Sequence, residues 1–403
     1  MASPQTISGP LAAAPASHIH VLAIGGAHQF GHILPVACEL ERRHPGKVRF
    51  FVSSEAEARA AAALADDAGL PLPETVVMHL PLAASVLPDR LHKFARLVRW
   101  APPLRDAALI LCAERTSTVL KRLPGDCPPM LHIPHGAGDR AVGFEARFRL
   151  FDHVMLAGRK DRDRLVESGF VRPQDCTVTG PVKLATTLAC ASRRPPLFDN
   201  GRPTILYNPH FSRKLSSIEA FGRRLVEAVV ADGRYNLVVA PHVRLARRWS
   251  AAKRRRWEAL AVPGQVIVDL GSARCNDMTY TLGADLYVGD VSSQVYEFLV
   301  RPRPCLFVDA QGTDWQGSED YAMWHFGEVI GPDADPVAAI GRAFATHGAY
   351  VGWQRERMAY TIDGIAWEPD GTPTFRGRDP VGEAADQVER FAGLGAGGLA
   401  AAA

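Results

Sequence analysis

Five histidines stand where apolar, strand-like runs end. His28 and His32 follow His20–Ile24, and His135 follows Met130–Pro134 in LHIPHGAGD. His210 follows Thr204–Asn208 in TILYNPHF, and His242 follows Asn236–Ala240 in NLVVAPHVRL. Imidazole is the side chain that gains or loses a proton near neutrality. Gathered histidines therefore suit proton transfer at a hydroxyl or hydrogen bonding to phosphate oxygens. In open α/β sheets, ligands bind outside the carboxyl ends of the strands. If these strands form two parallel sheets facing one cleft, the imidazoles converge. With 14 histidines in 403 residues, some fall in loops by chance, so the shared position carries the expectation.

Three short motifs refine it. In GDVSSQVYEF a strand turns through Asp290 into a helix running to Val300, with Ser292 or Ser293 as N-cap. Free N–H groups and two hydroxyls there could cradle a diphosphate. Glu297, one turn beyond Ser293, would face the same way and could hold a ribose; an ordinary capped helix with a surface glutamate would read alike. In PHGAGD, Gly136 allows a sharp turn that projects His135 as a base for an acceptor hydroxyl, with Asp139 as its orienter. His242 is expected to stabilise charge on a departing nucleotide, assisted by Arg244, and His210 joins the phosphate-binding set. The first turn, GGAHQFGH, places Gly25, Gly26 and Gly31 at a helix start, where glycine permits close backbone approach to a substrate. It is not GxGxxG, and no acidic residue follows at the ribose-binding distance, so it is not read as a dinucleotide site. A tight turn with solvated histidines is the plain alternative.

Apolar strand-like runs alternate with helical stretches along most of the chain, which predicts parallel sheets covered on both faces. The segment CASRRPPLFDNGR reads as a linker between two such series. The expected organisation is a floppy tail at 1–17, a Rossmann-like acceptor domain at 18–189 and a linker at 190–202. A Rossmann-like nucleotide-donor domain at 203–345 follows, then a helical segment at 346–394 that packs back on the first domain, and a tail at 395–403. The fold class is thus α/β, with two Rossmann-like domains facing a cleft.

Hydrophobic content of 47%, charged content of 22% and a net charge of +3 fit an ordinary globular chain and give no argument for nucleic acid. Seven scattered cysteines, without a CxxC pair or zinc spacing, fit reduced thiols in the cytoplasm. No metal or cofactor site is expected. No run of about 18 apolar residues would span a bilayer. Two basic stretches interleaved with tryptophan, LHKFARLVRWAPPLR (91–105) and LARRWSAAKRRRWEAL (245–260), suit an anionic membrane surface, although a solvated helix face is the commoner origin of such patterns.

His135-Gly136, His242 and Asp290-Val-Ser-Ser, in that order, resemble the CDP-glycerol glycerophosphotransferase family, transferases of the two-domain GT-B type that build teichoic-acid and capsule-like polymers. The likeness runs from about Met130 to Asp309 and includes FDHVMLAGRKDRDRLVESGF with VTGPVK; a glycine-rich first turn with histidine faces the acceptor in such enzymes. It implies His135 as catalytic base, His242 as a phosphate contact, Ser292 and Ser293 as donor-diphosphate ligands, and no metal. Ala137-Gly138 replace the family's Thr-Pro, NPHFS replaces its Ala-Pro-Thr-Trp-Arg, and Val291 replaces its Tyr, so a sugar nucleotide stands beside CDP-glycerol as donor.

The leading expectation is a cytoplasmic transferase, also at the inner membrane face, that moves a glycerophosphoryl or glycosyl group to a hydroxyl of a glycan or lipid-linked acceptor. The alternatives are an isomerase like the UDP-N-acetylglucosamine 2-epimerases, and a non-catalytic nucleotide-binding module.

Overall fold

The computed structural model describes residues 18–81, 89–140, 143–190, 195–375 and 377–394. The two expected tails and linker residues 191–194 lie outside these. Seven parallel strands form the first sheet: β1 (Ile19–Leu22), β2 (Val48–Val52), β3 (Glu74–Val77), β4 (Leu109–Cys112), β5 (Met130–His132), β6 (His153–Leu156) and β7 (Cys176–Val178), in the order β3-β2-β1-β4-β5-β6-β7. Six parallel strands form the second: β8 (Thr204–Asn208), β9 (Asn236–Val239), β10 (Val266–Val268), β11 (Leu286–Gly289), β12 (Cys305–Val308) and β13 (Glu328–Ile330), ordered β10-β9-β8-β11-β12-β13. Strands such as LILC, NLVV and CLFV are buried at every position. That is why they read as unbroken apolar runs: helices cover both faces of a parallel sheet. The order reverses between β1 and β4 in one sheet and between β8 and β11 in the other. Each reversal opens a crevice at the carboxyl ends of its strands.

The chain returns to the first domain through two helices. In Val351–Thr361, Arg357 reaches Asp139 and Tyr360 Oη donates to Asp163 at 3.1 Å. This crossing needs Gly158, because a Cβ there would lie 2.1 Å from the Thr361 carbonyl oxygen. The second, Pro380–Ala392, starts on an Asp379 cap with Pro380 in its first turn and ends on left-handed Gly393. Its Ala384, Ala385 and Val388 join Ile33, Val36, Ala37 and Leu40 in one core, while Arg43 pairs with Asp386 and Glu389. The C-terminal segment therefore packs back on the first domain.

Local differences from the sequence reading are small. The first helix begins at Phe30, after a 3-10 turn at Ala27–Gln29. The helix after Ser293 stops at Phe298, five residues long, instead of running to Val300. An antiparallel hairpin, β14 (Ile365–Trp367) with β15 (Pro373–Phe375), interrupts the helical C-terminal region. Three-residue strands are too short to show a period.

Candidate active site

The two crevices face each other across a cleft of about 490 Å³, within the size range of small-molecule sites. His135 and Gly136 line it from the loop after β5. His210 comes from the loop after β8, His242 and Arg244 follow β9, and Ser292 and Ser293 follow β11. His28 reaches the same place, its ring 5.5 Å from that of His135. The remaining strand histidines serve the core. His20 Nδ1 lies 3.1 Å from the Leu104 carbonyl, and His132 Nδ1 lies 2.9 Å from that of Cys112 with its ring stacked on Phe151.

Partners at Nδ1 fix what each cleft imidazole offers at Nε2. His135 Nδ1 is 2.8 Å from the Ala113 carbonyl oxygen, so it carries the proton and Nε2 is left as an acceptor. Gln29 Nε2, 3.3 Å from the same nitrogen, is then a donor facing a donor and makes no bond. Gln29 instead donates to Glu114 at 3.2 Å and accepts from the Gly25 amide at 3.1 Å. His242 caps the short helix Val243–Ala246, accepting at Nδ1 from the Arg244 amide at 3.2 Å. His210 Nδ1 accepts from the Ser212 amide at 3.1 Å. Both rings therefore present Nε2–H. The cleft has one basic imidazole from the first domain and two donating imidazoles from the second.

Enclosure keeps these rings neutral. Desolvation is the largest influence in every case, bringing His210 to about 3, His242 to about 4 and His28 to about 3. His135 is also lowered, although its ring is open to solvent at the cleft wall. Water touches the ring, but protein surrounds it on most sides. The Ala113 contact and Glu114 partly offset the shift.

Five expected site residues are engaged within the protein, and two of them, Asp139 and Asp290, are turned away from the expected role. Asp139 does not orient His135. Its carboxylate is fully buried and accepts from Lys160 Nζ at 2.9 Å and from Tyr296 Oη at 2.6 Å, with Arg357 at 3.4 Å; the Ala113 carbonyl orients the imidazole instead. Asp290 turns inward, accepting from the amides of His210 (2.9 Å) and Ser217 (3.0 Å) and from Ser217 Oγ (2.9 Å). It fixes the loop that carries His210, and burial raises its pKa to about 7. Glu297 is ion-paired with Lys183 of the first domain. Beside it, His32, Gly136 and Ser293 enclose a cavity of only about 50 Å³. That is room for a few waters at roughly 10–15 Å³ each, so a ribose reaches Glu297 only if this contact opens. Gly25 and Gly26 serve the fold: Gln29 fills the space of a Gly25 Cβ, and Gly26 takes φ +118°.

Gly136 has φ +85°, and a Cβ there would lie 3.2 Å from Ser293 Oγ. Glycine thus provides both the turn and the close approach of the two domains. Ser293 occupies the N-cap position without a side-chain cap bond, and Ser292 Oγ accepts weakly from the Gln294 amide at 3.4 Å. With only five residues in the helix, its dipole is small, and histidines and arginines dominate the local electrostatics. Lys160, Lys183, Tyr296 and Arg357 escaped the sequence reading. Lys160 and Lys183 sit in the noted segments FDHVMLAGRK and VTGPVK, yet nothing in the letters pairs Lys160 with Asp139, 21 positions away, or Lys183 with Glu297, 114 away.

No protein-family model and no curated protein matches this chain by sequence. Solved structures match over nearly its whole length. The wall teichoic acid polymerase TagF aligns at TM-score 0.57 and 10% identity, covering 94% of this chain and 90% of the other. UDP-GlcNAc 2-epimerase from Neisseria meningitidis, bound to UDP-GlcNAc, aligns at TM-score 0.58 and 12% identity, covering 92% and 98%. Another UDP-N-acetylglucosamine 2-epimerase aligns at TM-score 0.60 and 10% identity, covering 95% and 98%. The fold is GT-B-like. At such identities the likeness speaks for the architecture, and the chemistry rests on the cleft.

Proposed function

We propose that this protein is a transferase that moves a glycerophosphoryl or glycosyl group from a nucleotide-activated donor to a hydroxyl of a glycan or lipid-linked acceptor, in cell-surface polymer synthesis. The observation that carries the reading is the opposed tautomers across the cleft. The acceptor oxygen attacks the donor's phosphorus or anomeric carbon while His135 Nε2 takes its proton. The bond to the nucleotide phosphate breaks, and the charge left on the nucleotide is met by Nε2–H of His210 and His242, by Arg244 and by Ser293. Asp139, Asp290 and Glu297 are each engaged elsewhere, and His135 Nε2 is the acceptor we assign as proton carrier. CDP-glycerol and sugar nucleotides are the donor candidates, and no metal is required in this reading.

The likeness to TagF, named as a wall teichoic acid polymerase, supports the transferase reading, and the likeness to 2-epimerases supports the isomerase alternative. Incubation with UDP-N-acetylglucosamine alone separates them, because an epimerase needs no acceptor. Thermal-shift binding with CDP, UDP, GDP, dTDP, CDP-glycerol and UDP-sugars tests the donor site. A ligand at 100 times its Kd stabilises by about 2.7 kcal/mol. Silence across the panel removes the transferase reading.

A membrane-facing acceptor needs a revised contact surface. Lys93 pairs with Glu114, Arg96 donates to the Met78 carbonyl, and Trp257 is buried against Trp249. Much of the basic and aromatic pattern thus serves the core. Leu91, Phe94 and Val98 of the Asp89–Arg105 helix are instead exposed at a helical spacing, and they are the residues we assign to lipid contact. Failure to float with anionic vesicles would remove that contact.

A further inference from the structure

The charged groups around the cleft mostly have partners. Lys93 holds Glu114, Lys160 holds Asp139, Arg164 holds Asp320, and the Arg244 guanidinium lies 4.4 Å over the Phe211 ring. Arg140 differs. It lines the cleft, its Nε is sealed from solvent with no partner, and its guanidinium makes no hydrogen bond or ion pair among the described residues. A buried N–H donor without an acceptor is costly, and a guanidinium with no partner at the cleft wall calls for a ligand or an ion to complete it.

The backbone that feeds Arg140 is held from both domains. The preceding Asp139 is fixed through its carboxylate by Lys160 of the first domain and Tyr296 of the second, and through its carbonyl by Arg164. Arg140 and His210 line the same cleft, from the first and second domains respectively, and the Arg140 charge, like His242 and Arg244, disfavours protonation of the His210 ring. His210 has spent Nδ1 on the Ser212 amide and presents Nε2–H. Two hydrogen-bond donors from opposite walls thus face the same space.

We propose that Arg140 and His210 together bind a phosphoryl group of the donor from opposite sides of the cleft, making Arg140 the first domain's diphosphate ligand. This rests on the nucleotide-donor reading above and adds to it a residue that couples phosphate charge to the first domain. Guanidinium suits the task because its planar fork matches phosphate oxygens.

Calorimetric titration of the full chain with inorganic pyrophosphate, UDP, CDP, uridine and cytidine tests the idea in wild type, Arg140→Met and Arg140→Lys. The Met variant is expected to lose about tenfold or more in affinity for pyrophosphate and for the diphosphate that wild type binds, the scale of one charge-assisted hydrogen bond. Nucleoside affinity should stay unchanged, and the Lys variant should recover part of the loss. Arg140→Gln, of similar reach, must show the same selective loss should the Met variant melt early. Undiminished diphosphate affinity in Arg140→Met, or equal losses for nucleoside and diphosphate, overturns the assignment. Wild type binding pyrophosphate through Arg140 but no nucleotide would remove the donor reading and keep the anion site. Wild type binding neither would remove both.

Discussion

The cleft and the seam beside it are built from the same residue types and use them in opposite ways. Along the seam, polar groups satisfy one another across the two domains: Asp139 with Lys160, Tyr296 and Arg357, and Glu297 with Lys183. A few residues away, the imidazoles of His135, His210 and His242 each use one nitrogen on the protein and leave the other open. The Arg140 side chain is left without a hydrogen-bond or ion-pair partner among the described residues. A paired buried charge holds geometry, whereas an unfilled donor or acceptor on a held frame can do chemistry. Asp139 and His135, four residues apart in one loop, fall on opposite sides of this division.

The comparison can be broken most sharply at His135. His135→Ala should reduce transfer by about 10²–10⁴-fold, the usual scale of general acid–base catalysis, with nucleotide affinity and melting temperature unchanged. Wild-type-like turnover by that variant would take the base role from His135. Asp139→Ala should do the reverse, leaving Lys160 and Arg357 buried without their carboxylate at a cost of about 3–5 kcal/mol in unfolding free energy. A urea melt matching wild type would show that the seam is not structural. The double change Ser292→Ala with Ser293→Ala should weaken nucleotide binding by at most about 1.5–3 kcal/mol per lost charged hydrogen bond. Unchanged affinity would move the donor phosphates away from Gly136 and the Ser293 turn.

A further expected effect is on stability with pH. His20 and His242 are lowered to about 4, and His28, His132 and His210 to about 3, chiefly by burial. Each takes up a proton more readily when unfolded, near its ordinary pKa of about 6.5. Their contribution is therefore complete above that value and is lost as pH falls toward 3–4. Asp290, raised to about 7, acts oppositely and loses stability as pH rises from about 4, and Asp161 and Glu383, also raised by burial, act with it, but the lowered histidines outnumber them. Urea midpoints at pH 7, 5.5 and 4.5 should fall in that order, and a midpoint that holds or rises on acidification would contradict the enclosure of these rings.

Most of the architecture was legible in the sequence for a simple reason. Strands buried on both faces must be apolar throughout, so runs such as NLVVA mark themselves, and histidines placed just beyond them mark the carboxyl edges of two parallel sheets. Gly136 was legible too, since a sharp turn at positive φ after a strand leaves little choice but glycine. The roles of the acids were not. Asp139, Asp290 and Glu297 all lie in motifs that suggested ligand binding. Whether a carboxylate faces substrate or lysine depends on which cation arrives from 21 positions away, as Lys160 does for Asp139, or from 114, as Lys183 does for Glu297. The chain's order of residue types determined two facing α/β layers and the histidines at their edges, because backbone geometry and apolar burial act locally. Only the tertiary structure decided which polar groups closed the seam and which stayed open in the cleft, because pairing is settled by proximity in space.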